Sequence, residues 1–225
     1  MILVWIGFAS TGIIIARYFR KTFSSRKLCG EDIWFSIHRT IMCLCAFLTL
    51  LAFFFIFSVL QGRWVDFNEK TAFAHSIMGV IIVILAVIQP WMTIFRCHSE
   101  SRFRPIFNYL HRTVGITTYI LSLPVIWLAI YFTNSATTSN KAIMGAWTGW
   151  VVLVFVAFEA LEFFFKKKGF EEPLSIEFDM DYPTVHPGSQ TSRLKTTLQY
   201  FLLGFHILVS LGLAIALIVL ISKRL

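Results

Sequence analysis

Charge is scarce in this chain. Only 14% of its 225 residues are Asp, Glu, Lys or Arg, against about 25% in an ordinary soluble domain, so a water-facing surface of the usual kind cannot be built. Cysteine is sparse as well. There are four, and no Cys-x-x-Cys pair, which leaves zinc-ribbon and redox-dithiol readings without support. Cys43 and Cys45 are two apart on a helix and face different sides, while Cys29 and Cys97 fall in connecting segments, so free, inert thiols are expected. The strict in-out alternation of a barrel strand is missing. No basic region precedes the first apolar run, which therefore reads as a span rather than a signal peptide. Internal repeats and paired broken helices, which mark many transporters, are also missing.

What is there is apolar. Hydrophobic residues make up 57% of the chain, with 24 Phe among them. A helix needs about 20 mostly apolar residues to cross a bilayer, and the sequence offers six candidate runs, at 1–19, 33–60, 72–95, 106–132, 142–165 and 198–221. Lipid cannot satisfy a bare backbone, so each run is expected to be helical. The fold expected is all-α, a polytopic membrane bundle of about six transmembrane helices. The domain reading is a transmembrane core over 1–168, a polar loop over 169–197 and a last span over 198–225.

The net charge of +8 would suit nucleic acid, but the basic residues sit at span ends, and none is expected to bind it. They are also asymmetric. Strict alternation of the six runs puts thirteen of the 20 Lys and Arg in one set of loops and five in the other. By the positive-inside rule the richer loops are cytoplasmic and the N-terminus is outside. Lys223 and Arg224 disagree locally. Glu31 and Asp32, before the second run, read as a helix start, with acids at the positive dipole end. Glu162 and Lys166 are four apart and are expected to pair at the interface.

Three apolar runs between 34 and 115 carry a histidine near their start, at His38, His75 and His111. An ionisable residue in a span is costly without a partner. One such histidine is usually structural, but three at matching depths suggest metal ligation, and imidazole commonly ligates haem iron. His38 and His111 each lie about five residues into helices that start on the cytoplasmic side, roughly 7–9 Å deep. They can share one iron. His75 enters from the other side and sits roughly 15–20 Å from that pair. Gly79 and Gly115 follow His75 and His111 by one turn, on the same face. A glycine there leaves room for a flat macrocycle, and it equally serves close helix packing. His98 and His186 read as solvated loop residues, and His206, mid-span in the last run, as a hydrogen-bonding histidine.

These residues resemble a known family. Trp5, Gly12 and Ala16-Arg17-Tyr18, then D-I-W-F-S-I-H-R ending at Arg39, A-H-S-I-M-G ending at Gly79, L-A-V-I-Q-P ending at Pro90 and F-N-Y-L-H-R-T-V-G ending at Gly115 resemble the cytochrome b561 domain. The variant is the ferric-chelate reductase type, and the likeness covers roughly residues 1–168. The resemblance implies two haem b groups between helices of a four-helix core, each held by two histidines. Carried over, His38 and His111 hold the inner haem and His75 the outer one. The family's first histidine, in a His-Gly pair, would fall before Met1. The expectation is therefore an N-terminally shortened chain with a complete inner site and an outer site lacking one ligand.

The resemblance also implies transmembrane electron transfer, from a cytoplasmic ascorbate-like donor to an outside acceptor such as ferric iron. The partners expected are these small molecules and the lipid bilayer, with room for a homodimer. No acid–base or nucleophilic machinery is required. Arg17, Lys21 and Arg112, with Arg20, are candidates to attract an anionic donor, though ordinary positive-inside topology also accounts for them. The rival readings are a transporter-like or receptor-like membrane protein with structural histidines, and a haem-poor interaction subunit.

Overall fold

A computed structural model describes residues 1–20, 27–28, 30–94, 101–133, 137–167 and 190–223. Lys21, Cys29, Cys97, His98 and His186 lie outside the described residues, as does most of the polar loop expected over 169–197. The chain is helical almost throughout. A π-helical stretch, Val4–Ala9, runs directly into α1 (Ser10–Tyr18). Four long apolar helices and a longer final one follow: α2 (Ile33–Val59), α3 (Lys70–Ile94), α4 (Arg104–Phe132), α5 (Thr138–Lys167) and α6 (Gln190–Ser222). Five of these are long and apolar enough to cross a membrane. The N-terminal segment, Val4–Tyr18, is shorter than the others. At 1.5 Å per residue it spans about 22 Å, less than a hydrocarbon core of about 30 Å. The helix α6 begins at Gln190, ahead of the apolar run at 198, so part of the expected loop is its polar first turns.

The apolar sequence decides the packing. Many large side chains remain on the outside, among them Phe55, Phe163 and Leu208 at 64%, 67% and 69% exposure. In water that would be a liability, and in lipid it is the expected surface. The side chains that do turn inward form two clusters. One gathers Trp5, Ile6, Ile82, Ile126, Met144, Trp147 and Leu217, and the other Ile14, Tyr18, Phe19, Val154 and Phe158. Successive helices pack as neighbours, and α6 returns to lie against both α5 and the N-terminal segment.

Between α1 and α2 is a short antiparallel pair, β1 (Lys27–Leu28) and β2 (Glu31–Asp32). Gly30 turns it with φ +83°, a conformation glycine adopts without a Cβ penalty. Asp32 does stand at the N-cap of α2, but without a capping side-chain bond. Its carboxylate instead accepts from the Trp34 indole, at 3.3 Å.

Candidate functional site

The N-terminal segment, α2, α3 and α4 enclose a cavity of about 270 Å³. His38 on α2 and His111 on α4 both line it, and their ring centroids are 6.4 Å apart with planes at 82°. Each ring is held. His38 Nδ1 lies 2.9 Å from the Gly12 carbonyl. A carbonyl only accepts, so Nδ1 carries the proton and Nε2 keeps a bare lone pair, the arrangement that suits a metal ligand. Gly12 allows this approach: a Cβ there would stand 2.7 Å from Met42 Sδ and 3.3 Å from Ile41 Cγ2. His111 is stacked by Phe107, one turn earlier, at 5.7 Å and 9°. Gln89 on α3 donates to the His111 carbonyl at 3.3 Å.

His75 is elsewhere. Its Nδ1 donates to the Val125 carbonyl at 2.9 Å, and its ring meets Phe132 at 4.9 Å. On α4, Val125 follows His111 by fourteen residues, about 21 Å of helix rise. The third histidine thus stands toward the opposite end of the bundle. As at His38, its Nε2 keeps a bare lone pair. Gly115 borders the cavity, where a Cβ would touch the Gln89 amide at 3.7 Å. Gly79 has open space beside it, but so do Gly145 and Gly204, so openness alone does not single it out.

Arginines crowd one part of the cavity wall: Arg17, Arg20, Arg39 and Arg112. They are not equivalent. Arg17 Nε lies 2.6 Å from Glu159, whose carboxylate also accepts from Tyr18 at 2.7 Å. The Arg20 guanidinium covers the Trp34 ring at 5.0 Å. Burial, and then the like charges of Arg112 and Arg104, hold Arg20 below the ordinary arginine value. A group crowded by like charge favours an anion that relieves it. Arg39 rests over Phe35 at 5.4 Å, and it was not among the candidates read from the sequence.

Other readings meet the structure unevenly. Glu162 pairs with Lys195 of α6 at 2.8 Å and with Gln199 at 2.8 Å, where the i, i+4 rule points to Lys166; a returning helix offers a partner that local spacing cannot reveal. His206 is a hydrogen-bonding residue, fully buried between Ser10 and Trp150. Cys45 is buried and Cys43 exposed. Gly12, Gln89 and Phe107 hold the histidine pair but had no assigned role, although all three lie inside the stretches quoted for the resemblance. Among the described residues no cluster of three or more His, Cys, Asp or Glu forms.

The sequence model of the family described as eukaryotic cytochrome b561 matches residues 1–136. A Drosophila melanogaster protein, "Putative ferric-chelate reductase 1 homolog", is 36% identical over 161 residues, covering 72% of this chain and 23% of that protein. Human "Ferric-chelate reductase 1" is 32% identical over 130 residues, 58% of this chain and 21% of the human protein. The chain spans about a quarter of the length of the curated relatives it matches. No solved structure matches.

Proposed function

The chain belongs to the eukaryotic cytochrome b561 family, and on that premise we propose that it carries electrons across a membrane through b-type haem, with His38 and His111 as the residues that would hold one haem. The observation that carries this reading is the 6.4 Å between the two ring centroids. A metal–imidazole bond is about 2 Å long and the ring centre lies roughly 1 Å beyond the nitrogen, so the gap between the two rings would admit one metal held by both. The supporting features are the His38 bond to Gly12, the Phe107 stack on His111 and the missing Cβ at Gly115.

When bound, haem supplies a one-electron couple whose potential is tuned by axial ligands, burial and nearby charge. The remaining work falls to the protein. His38 and His111 fix the iron's position in the bundle. Trp5, Ala9, Ala46 and Ala86 line the cavity with apolar surface and keep water from its interior. Arg20, Arg39 and Arg112 attract an anion to the end where the histidine pair lies. Its chemistry is that of an ascorbate-like reductant, with Arg17 a weaker candidate because Glu159 already holds it. Lys21 belongs to the same basic stretch of sequence. The acceptor proposed is a ferric chelate, as in the names of the relatives. His75, with Gly79 one turn away, is proposed as a ligand of a second haem toward the other face.

Orientation follows from charge: the arginine-rich end faces the cytoplasm, since the loops on that side hold thirteen of the 20 basic residues. The transmembrane core is taken as 1–168, followed by a cytoplasmic segment and the α6 span. The test is spectral. Replacing His38 or His111 with alanine in the purified chain abolishes the low-spin b-type spectrum of the inner haem. Full spectra in both variants would overturn the assignment.

A further inference from the structure

His206 stands in the middle of an apolar helix with none of its surface exposed. Burying an imidazole there is costly unless its nitrogens are bonded, and both are. The Trp150 indole on α5 lies 3.2 Å from Nδ1. An indole only donates, so Nδ1 accepts and Nε2 carries the proton. Nε2 is 3.0 Å from Ser10 Oγ, to which it donates. Ser10 Oγ in turn donates to the Ile6 carbonyl at 2.7 Å. One polar chain thus joins α5, α6 and the N-terminal segment inside the bundle.

The place where this chain ends is unusual. Ser10 is the first residue after the π-helical stretch Val4–Ala9. Such widened turns are rare and shift the backbone hydrogen-bond register. The Ser10 and Thr11 side chains tie back to its carbonyls, the latter donating at 2.8 Å to the Gly7 carbonyl, which also accepts from the Ser10 backbone N–H. Trp5 and Ala9, both within this stretch, stand on the wall of the cavity. Gly12, whose carbonyl accepts a hydrogen bond from His38 Nδ1, comes two residues after Ser10.

Resting on the reading of His38 and His111 as haem ligands, we propose that His206 is a positioning residue for that haem: it anchors Ser10 and the π-helical register, and through Gly12 sets the orientation of His38. The helix α6 lies outside residues 1–136, where the family match falls, so this support comes from a part of the chain that the match does not cover. A leucine at 206 could fill the same space, but it could not hold Ser10.

The experiment uses the haem-loaded full chain and reads haem per chain, midpoint potential and the low-spin electron-paramagnetic g-values. His206→Leu and Ser10→Ala should keep haem but shift both potential and g-values. His206→Gln, whose amide can still donate to Ser10, should move them back toward the starting values. Leu217→Ala, which loosens the apolar packing of the same helix, should leave them unchanged. Unaltered potential and g-values in Ser10→Ala would overturn the proposal, and so would an equal shift in Leu217→Ala. If His206→Leu does not fold, Ser10→Ala alone decides. A starting chain with no low-spin haem signal would instead overturn the ligand assignment on which the proposal rests.

Discussion

Replacing Gly12 with alanine tests the packing of α1 on α2 and the orientation of His38 in one step. The new Cβ would stand 2.7 Å from Met42 Sδ and 3.3 Å from Ile41 Cγ2, where carbon atoms ordinarily rest about 3.5–4.0 Å apart. The methionine side chain is flexible and can swing away, while the branched isoleucine is stiff at χ1. The remaining overlap pushes α1 outward, and overpacking of this kind costs about 1–3 kcal/mol. The His38 bond to Gly12 is 2.9 Å long. A retreat of roughly half an ångström takes it past the normal N–H···O range of about 2.7–3.2 Å. Loss of the group that orients a metal-bound histidine typically lowers affinity by about 10–100-fold, or roughly 1.4–2.8 kcal/mol. Gly12→Ala should therefore bind haem about ten-fold or more weakly and unfold at lower temperature. The assay titrates haem into apo-protein in detergent, following the Soret band, with a parallel melt. Adding Ile41→Ala removes the stiff obstruction, so Gly12→Ala should cost less in that background than in the wild type. Wild-type affinity in Gly12→Ala, or a double variant no better than additive, would refute the reasoning.

An epitope inserted within 134–140 should be labelled from outside intact cells, and one within 168–189 only after permeabilisation; reversed labelling would invert the proposed orientation. Arg20→Gln and Arg112→Gln should each slow reduction by an anionic donor several-fold at low salt, and the loss should shrink as salt screens the remaining charge. A neutral donor should react at the wild-type rate, and equal slowing with both donors would count against an anion site. Haem analysis of the purified chain should give one firmly bound haem, retained in His75→Ala. A firm count of two, falling to one in that variant, would mean that another residue completes a site with His75.

Much of the architecture was legible because lipid leaves the chain few choices. Long apolar runs must satisfy their own backbone, and only a helix does so within one segment. The grouping of the histidines followed from helix rise. His38 and His111 sit at similar offsets in helices that run the same way, and His75 is in the one that runs back. Their meeting across the cavity, and the position of His75 beside Val125 and Phe132, accord with that arithmetic. Tertiary structure decided the partners. Gly12 with His38, Val125 with His75, Ser10 with His206 and Lys195 with Glu162 join residues far apart in sequence. Periodicity reports which face a residue occupies, but not which neighbour that face meets. The bond from His206 to Ser10, at the end of the π-helical stretch Val4–Ala9, is of the same kind, since it comes from the last helix of the chain. The division between Arg17, held by an ion pair, and the other arginines of the cavity wall also waited on packing, because Glu159 is brought to Arg17 by α5.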